Sequence, residues 1–469
     1  MQVVVGLEIH VELMTLSKLF CGCRNEFGCK PNSNVCPVCL GLPGAIPVLN
    51  KKAVEFAITA GLAMGSDIAE VISFDRKNYF YPDLPKGYQI TQQVRPICTG
   101  GKVKLSSGKE IAIKQIHLEE DAGKLTHDGS GLTLIDYNRS GVPLIEIVTT
   151  PTLSSGEEVV ELLKIIKDKL SFAGVSECKM EQGQMRVDLN ISVSEDDGKL
   201  GTRVEIKNLN SLKSIEKAID FEKKRHEDLL SANLKIVSET RGWNEETSET
   251  FSMREKQSSY DYRYFPEPDI TAIAIDSKAV SKLKKNLPES IETKRQVYKT
   301  LGLSDYDIDV LTSRLEIAEY FDACFEITLS PKETANWIMT ELLRVSKEMS
   351  QLPLVDIISV SDLSRLISMI ESEEITRTSA KLAFNEIVET RKDLDNILKE
   401  LDITREVTIE DVIEIVDTLI DNTPHILEDY IEDSGKVINH IIGYVMKTTR
   451  GMAKIEDIKL VVEKMIKQK

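Results

Sequence analysis

The sequence has 469 residues, of which 41% are hydrophobic, and a formal net charge of −17. At roughly 100 to 200 residues per domain, this length predicts about three domains with full cores. No run reaches the roughly 18 apolar residues of a membrane span, and the acidic balance argues against a protein that coats nucleic acid through bulk charge. The chain opens on a predicted strand and not on a cleavable targeting segment, so a cytoplasmic protein is expected.

The first predicted element is a strand over residues 2–13. Its alternation places Glu8, His10 and Glu12 together on one face. The opposite face is apolar and carries Leu7, Ile9, Val11 and Leu13. Two carboxylates and an imidazole at this spacing can converge on one hard cation. The alternative is a solvated strand face that carries charge for solubility.

Five of the eight cysteines lie in one short N-terminal segment. Within it, Cys21 and Cys23 form one thiolate pair and Cys36 and Cys39 form a second, at a separation that allows four sulfurs to surround zinc. Four thiolates leave no open coordination position, so the sequence predicts a structural zinc site and a free thiol at Cys29. The clustering favours metal binding in a reducing compartment over disulfides, and a redox-active cluster is the alternative.

Residues 74–89 combine aromatic side chains, cations and prolines. Cations can bind phosphate oxygens while an aromatic ring contacts a purine, so this segment is predicted to bind a nucleotide. The predicted contacts are Arg76, Lys77, Tyr79, Tyr81 and Lys86. In the alternative, the tyrosines belong to the core and the charges to the surface. The sequence contains neither a P-loop nor a G-x-G-x-x-G turn, which excludes those two types of nucleotide site.

Residues 116–124 place three acids before a glycine. A carboxylate here, Glu119 or Glu120, could complete the metal shell begun by Glu8 and His10, and alternation does not choose between the two neighbours. His117 is predicted to be a local hydrogen-bonding residue.

Three later segments, 143–148, 186–193 and 202–208, repeat the alternation of the first strand. Their polar positions carry Glu146; Arg186, Asp188, Asn190 and Ser192; and Arg203, Glu205 and Lys207. Four strands thus share one pattern, which predicts a sheet with an apolar, helix-covered face and a second face bearing carboxylate, guanidinium and amine groups. Such a face is expected at a site that holds metal and phosphate.

Strand signals with Gly and Pro dominate up to about residue 290, interrupted by predicted helices at 52–64 and 157–172. Beyond that point apolar residues recur at helical spacing, and Thr408 and Asp411 predict a capping-box start for a further helix. The predicted domains are 1–288, 289–405 and 406–469. The last 34 residues contain eight bases against three acids, which favours contact with a polyanion, although such lysines can also form a solvated helix face.

Taken together, these motifs closely resemble the B subunits of the glutamyl/aspartyl-tRNA amidotransferases over essentially the full length. Residues 136–147 fit the signature pattern D-x-N-R-x-G-x-P-L-[LIV]-E-I of that family. The other segments that carry the resemblance are 5–13, 75–83, 86–89, 117–124, 207–211, 261–269 and 443–447.

The resemblance implies an α+β fold. An N-terminal cradle domain with a large, mainly antiparallel, glutamine-synthetase-like sheet would be followed by two all-α domains. It further implies an enzyme that uses ATP to phosphorylate the side-chain carboxylate of Glu-tRNA(Gln) or Asp-tRNA(Asn) and then amidates it. Ammonia would come through a tunnel from a separate amidase (A) subunit, and a small (C) subunit would complete the heterotrimer.

The resemblance also implies roles for individual residues. Mg²⁺ would be bound by Glu8, His10 and Glu120, with Asp188 and Glu205 as further ligands or as partners of the ligands. The four paired cysteines match the zinc-containing branch of the family. The basic tail would contact tRNA through Lys436, Lys447 and Lys454. From their shared strand face, Arg203 and Lys207 are expected to stabilise the phosphoryl group in transfer.

Three other interpretations remain open at this point. One is the related archaeal subunit, for whose synthetase-like insertion 469 residues leave no room. The second is a tRNA-binding scaffold without catalysis, which the retained carboxylates disfavour. The third is an ATP-dependent ligase acting on a small carboxylate. The sequence contains no Ser/Lys amidase signature and does not indicate which aminoacyl-tRNA is used.

Overall fold

The computed structural model describes residues 1–127, 129, 131–195, 198–255, 262–349, 352–401, 407–423, 434–449 and 453–466. The chain splits into two compact units, Met1–Lys294 and Arg295–Lys469. The first contains a large mixed sheet and the second is helical, which confirms the α+β class. Among the described residues, no helix is both long and apolar enough to cross a bilayer.

Seventeen strands are described, all in the N-terminal unit. They are β1 (Gln2–Glu12), β2 (Asp67–Ile68), β3 (Val71–Ile72), β4 (Asp75–Asn78), β5 (Tyr88–Thr91), β6 (Cys98–Thr99), β7 (Lys102–Lys104), β8 (Glu110–Glu120), β9 (Lys124–His127), β10 (Thr133–Asp136), β11 (Pro143–Thr149), β12 (Met185–Ser194), β13 (Val204–Leu209), β14 (Glu239–Asn244), β15 (Glu249–Glu255), β16 (Phe265–Pro266) and β17 (Ile273–Ala274). The four strands with the shared sequence pattern are β1, β11, β12 and β13.

The described helices follow in chain order. They are α1 (Lys51–Ala63), α2 (Gly156–Phe172), α3 (Leu212–Ser231), α4 (Ser277–Lys285), α5 (Ile291–Thr300), α6 (Asp305–Leu311), α7 (Leu315–Thr328), α8 (Pro331–Trp337), α9 (Leu343–Glu348), α10 (Leu354–Ile357), α11 (Val360–Glu371), α12 (Arg377–Thr390), α13 (Leu394–Glu400), α14 (Ile409–Asn422), α15 (Ser434–Thr448) and α16 (Ile455–Ile466). A 3₁₀ turn covers Met180–Gln182, and one π-helical turn, Ile338–Leu342, joins α8 to α9.

The large sheet has the strand order β15-β14-β13-β12-β1-β11-β8-β6-β2, with β7 paired to β8. Its described pairings are antiparallel except that of β13 with β14. β1 is therefore a central strand with a partner on each side. Its register places Glu8 opposite Asp188 of β12, and His10 opposite Glu146 of β11.

One hydrophobic core covers the apolar face of this sheet. Leu7, Ile9 and Val11 are at most 1% exposed, and apolar residues of α1, α2 and α3 belong to the same core. Both helices predicted in this region are present, as α1 and α2. Because strand side chains alternate, burial of this face leaves Glu8 and His10 on the other one.

The helical unit contains two separate cores. One extends from Tyr298 to Leu398 and the other from Val412 to Val462. α14 starts with the predicted capping box, in which the Thr408 hydroxyl accepts from the Asp411 amide at 3.2 Å and Asp411 accepts from the Thr408 amide at 3.0 Å. The boundary predicted near residue 405 lies outside the described residues, as do Asp261, Arg450, Lys467 and Lys469.

A charged network is buried where α3 meets β14 and β15. Glu222 is fully buried, and its carboxylate lies 2.8 Å from Arg225, 3.1 Å from Arg241 and 3.2 Å from His226. The Thr250 hydroxyl also donates to it. Burial alone would raise the pKa of Glu222, but the nearby His226 ring and the hydrogen bonds from Arg225 and Thr250 lower it to about 2.

Glu222→Gln is expected to destabilise the protein by about 3 kcal/mol at pH 7. Because the folded-state pKa is depressed, this stabilisation is complete above the ordinary value of 4.5 and is lost as the pH falls from 4.5 toward 2. Thermal unfolding of wild type and variant at pH 7 and pH 4 measures the difference, with Asp228→Asn on the exposed side of α3 as the control. A difference that does not shrink at the lower pH would contradict the assignment.

Candidate functional site

Three carboxylates form a cluster across three neighbouring strands. Glu8 lies on β1, Asp188 on β12 and Glu205 on β13, and one oxygen of each lies within 4.8 Å of the others. We call these three residues the carboxylate cluster. The Lys207 ammonium contacts Asp188 and lies 3.1 Å from Glu205, while the Asn190 amide donates to Glu8 at 3.1 Å.

Electrostatics in the carboxylate cluster favour a bound cation. Burial raises the pKa of Glu8, and the nearby carboxylates of Glu146, Glu205 and Asp188 raise it further. Burial opposes the charge of Lys207, but Asp188 and Glu205 raise its pKa above the usual range. Lys207 thus balances only part of the negative charge, and a divalent cation would balance the rest.

A second group lies beside the first on the same face. The His10 Nε2 atom is 3.4 Å from Glu119 and 3.6 Å from Glu146, and we call these three residues the histidine cluster. The buried His117 ring lies 3.3 Å from Glu146 and 3.7 Å from Glu119. Burial lowers the pKa of His117, but the two carboxylates raise it to about 10. His117 is therefore paired electrostatically with both acids, and its Nδ1 atom lies 3.4 Å from the Gln115 side-chain amide.

The structure does not bring Glu120 to either cluster. Its side chain points away from Glu119, contacts the Lys86 ammonium and accepts from the Ile90 amide at 2.9 Å. Adjacent residues of a strand face opposite sides, so only one of the two acids can join His10. The resemblance implied Glu120 as a magnesium ligand, whereas it is Glu119 that lies beside His10.

Glu12, the third polar residue of the first strand, belongs to a different network. Its neighbour Asp121 lies 2.7 Å from Arg186 and 3.4 Å from Arg139. Burial and Asp121 raise the pKa of Glu12 to about 7, against the opposing effect of the two arginines. Glu12 therefore lies on the polar face of β1 at its carboxyl end, but it belongs to neither cluster.

Two of the five predicted nucleotide contacts are already paired. Arg76 binds Glu267 through two nitrogens at 2.7 and 2.8 Å and lies 4.2 Å from the centre of the Tyr88 ring. Lys86 pairs with Glu120. Both cations are therefore engaged within the protein.

The other three predicted contacts have different environments. The Lys77 ammonium lies 5.9 Å from the centre of the Tyr79 ring and 5.0 Å from that of Tyr262. Burial opposes its charge, but Glu119 raises the pKa of Lys77 above its usual range. Tyr81 is exposed. Lys77 is thus electrostatically coupled to the histidine cluster.

The remaining predicted cations lie at the surface. Arg203 is exposed and directly precedes β13. Lys436 and Lys447 are exposed on α15, and Lys454 is exposed just before α16. The three lysines belong to the part of the chain that was predicted to contact tRNA.

The four predicted zinc ligands come together in the structure. One sulfur from each of Cys21, Cys23, Cys36 and Cys39 lies within 4.8 Å of the others, and we call them the cysteine cluster. Zn–S bonds of about 2.3 Å place tetrahedral thiolates about 3.8 Å apart, so the donor set fits zinc. A hydrogen bond from Cys21 lowers the pKa of Cys39 to about 4, and burial raises that of Cys23 to about 11. Cys39 therefore has the stronger thiolate character of these two.

Sequence reasoning did not assign Glu146, Asn190 or Lys18 to a site. Glu146 was placed on the correct face, but its meeting with His10 depends on the register between β1 and β11. For Asn190, too, the sequence predicted only which face of the strand it occupies, not its hydrogen bond to Glu8. Lys18 carried no signal in the pattern, since it lies outside any helix or strand, between β1 and the cysteines.

Comparison with known proteins adds to this geometry. Residues 3–281 match the family described as GatB/GatE catalytic domain, and residues 319–468 match the GatB domain. The chain is 46% identical over 464 residues to the B subunit of the aspartyl/glutamyl-tRNA(Asn/Gln) amidotransferase from Caldicellulosiruptor saccharolyticus, with 96% of each chain covered. It is 41% identical over 476 residues to the protein of that name from Thermodesulfovibrio yellowstonii, covering 100% of this chain and 99% of the other.

A third relative of that name, from Caldanaerobacter subterraneus subsp. tengcongensis, is 44% identical over 461 residues, with 96% of each chain covered. The resemblance inferred from the sequence motifs is confirmed over nearly the whole length. The chain belongs to the family of aspartyl/glutamyl-tRNA(Asn/Gln) amidotransferase B subunits.

Proposed function

We propose that this chain catalyses ATP-dependent amidation of Glu-tRNA(Gln) or Asp-tRNA(Asn) as the B subunit of a heterotrimer with an amidase (A) and a small (C) subunit. The names of its relatives support the reaction and the partners. The observation that carries the proposal is the presence of two acidic clusters side by side on one face of the sheet. Such a face suits phosphoryl transfer, in which charge on ATP and on the acceptor must be balanced.

The chemistry requires an activated carboxylate. A side-chain carboxylate oxygen would attack the γ-phosphorus of ATP, and the bond to the bridging oxygen would break to release ADP. Ammonia from the amidase subunit would then attack the acyl carbon, with phosphate as the leaving group and loss of a proton to give the amide. Bound Mg²⁺ would offset the negative charge that accumulates between ATP and the carboxylate.

The two clusters are the proposed magnesium sites. Glu8, Asp188 and Glu205 would hold one ion, and His10, Glu119 and Glu146 the other; the second set replaces Glu120 by its neighbour. Carboxylate oxygens are the ligands that Mg²⁺ prefers, and imidazole is a compatible addition. Lys207 would stabilise the transferring phosphoryl group from within the first site.

Lys77 and Tyr79 are the first two proposed nucleotide contacts. The Lys77 charge interacts with Glu119, and the Lys77 ammonium lies 5.9 Å from the centre of the Tyr79 ring. Tyr81 stays a proposed contact through its exposed ring. Arg76 and Lys86 would have to leave Glu267 and Glu120 to bind phosphate, so we assign them a positioning role in this segment. Arg203, exposed beside β13, would reach a phosphate only from the outer edge of the site.

The other proposed features concern the architecture and the location. The sheet is proposed to have the glutamine-synthetase-like topology of a cradle domain, with domain boundaries near 288 and 405. The cysteine cluster is proposed to hold a structural zinc ion. A cytoplasmic location fits unpaired thiolates and a tRNA substrate.

The reconstituted three-subunit complex tests the function directly. We expect ATP hydrolysis to depend on Glu-tRNA(Gln) or Asp-tRNA(Asn) and to be followed by amidation of the same tRNA. Free glutamate and aspartate serve as controls, because a ligase for small carboxylates would turn them over without tRNA. Binding of charged tRNA without ATP hydrolysis would instead identify a non-catalytic scaffold.

Substitution of the two neighbouring glutamates tests the metal assignment. Glu119→Gln is expected to weaken Mn²⁺ binding, used as a stand-in for Mg²⁺, by at least about 10-fold because it removes a charged ligand. Glu120→Gln is the matched control and is expected to leave the affinity within about 3-fold. Electron paramagnetic resonance of free Mn²⁺ measures both, and an equal loss in the two variants would contradict the assignment.

Charge reversal tests the proposed tRNA contacts of the tail. The triple variant Lys436→Glu, Lys447→Glu and Lys454→Glu is expected to raise KM for charged tRNA at least about 10-fold, with kcat little changed. The dependence of log affinity on log salt should also fall by about one per lost contact.

The matched control for the tail reverses three exposed lysines of the preceding helical region, at 332, 347 and 399. Equal effects of the two triple variants would show that net charge, not the tail, determines tRNA affinity.

A further inference from the structure

Lys18 is a fully buried lysine beside the cysteine cluster. Its side chain has 0% exposure, and its ammonium donates to the carbonyl oxygen of Asn34 at 2.8 Å and to that of Tyr137 at 3.2 Å. The third contact is the sulfur of Cys39, at 3.7 Å. A buried ammonium at this position needs an explanation because transfer of an unpaired charge from water is costly.

Only one of the three contacts can carry negative charge. The two carbonyl groups are neutral, and among the described residues no carboxylate is paired with Lys18. The Cys39 thiolate is therefore the counterion, and it also accepts from the Cys36 amide at 3.1 Å. A divalent metal with four thiolates carries two net negative charges, so a fixed cation beside it would reduce the cost of burying the site.

We propose that Lys18 is the charge-balancing positioning residue of the four-cysteine metal site. Its ammonium lies 3.7 Å from the Cys39 sulfur, where it would offset part of the negative charge of four thiolates around a divalent metal, and its long side chain fixes the cluster to the rest of the domain. The inference rests on the proposed zinc site and names a residue that acts through Cys39 and does not itself bind the metal.

The second half of this role follows from the hydrogen bonds around Lys18. Two hydrogen bonds join segments 30–34 and 135–138. The Asn32 backbone N–H donates to the Asp136 carboxylate at 2.9 Å, and the Asn34 backbone N–H donates to the Asn138 side-chain oxygen at 2.8 Å. Lys18 adds a contact to each of these segments, through the Asn34 and Tyr137 carbonyls. The ammonium thus lies where the cysteine loop, the 135–138 segment and the Cys39 sulfur meet.

Three variants separate charge from hydrogen bonding. Lys18→Gln keeps a donor for the carbonyls but removes the charge, Lys18→Met removes both, and Lys18→Arg keeps both. Lys30→Gln is the matched control, because Lys30 is an exposed lysine of the same loop. Each is prepared in the full chain within the three-subunit complex.

Zinc content by mass spectrometry and zinc transfer to a chromophoric chelator are the readouts. Lys18→Gln and Lys18→Met are expected to weaken zinc retention by about 10- to 100-fold, whereas Lys18→Arg and Lys30→Gln stay near wild type. Thermal unfolding before and after chelation should show that zinc stabilises wild type more than Lys18→Gln. A role confined to the carbonyl hydrogen bonds would instead spare Lys18→Gln, lower the melting temperature of Lys18→Met by the same amount before and after chelation, and leave zinc affinity unchanged, which would overturn the proposal.

Two further outcomes are decisive. If Lys18→Gln does not accumulate as folded protein, recovery of folding and zinc by Lys18→Arg supports the proposal, and failure of Lys18→Arg to retain zinc overturns it. If wild type itself holds no zinc when purified without chelator and reloaded with ZnCl₂, the metal site fails, and the inference fails with it. That result would leave the amidation assay, and therefore the proposed function, unaffected.

Discussion

The pairing of β1 with β11 on one side and β12 on the other is the constraint on which the site depends. A central strand has both edges hydrogen-bonded, so its register with two neighbours is fixed at once. Burial of Ile9 at 0% exposure fixes which face points to the core. Glu8 and His10 must then face outward beside Asp188 and Glu146. A one-residue slip between β1 and β12 would separate Glu8 from Asp188, and a slip between β1 and β11 would separate His10 from Glu146.

This arrangement concentrates like charges, and the fold offsets them with cations from nearby strands. Lys207 extends from β13 to Asp188 and Glu205, and His117 extends from β8 to Glu119 and Glu146. Each acidic cluster therefore has at least one basic partner from the sheet. Lys207 and His117 offset only part of the negative charge, and the remainder is what the proposed metal and nucleotide would neutralise.

The parts of the site that depend on strand periodicity could be predicted from the sequence. Glu8, His10, Asp188 and Glu205 were placed on one face, and the four cysteines were grouped by spacing. The structure brings the four cysteines together and also Glu8, Asp188 and Glu205, while His10 joins the neighbouring histidine cluster. The choice between Glu119 and Glu120 could not be made, because residues 117–121 are polar at four of five positions and give no alternation to follow. The pairing of Arg76 with Glu267, 191 residues away, is a tertiary contact that no local pattern encodes.

Residues 117–121 and 140–146 connect the acidic face to the cysteine cluster. They supply His117, Glu119 and Glu146 to the histidine cluster, while the Gly141 amide donates to the Asp121 carbonyl at 2.9 Å and the Ser140 hydroxyl donates to the Cys39 carbonyl at 3.2 Å. The Leu19 amide also donates to the Gly141 carbonyl at 2.8 Å. A displaced cysteine loop would therefore pull on the same stretch of backbone that ends in the ligand-bearing strands β8 and β11. Because the Gly141 backbone is hydrogen-bonded both to Asp121 and to Leu19, the strands that hold the acids and the loop that holds the thiolates are structurally linked.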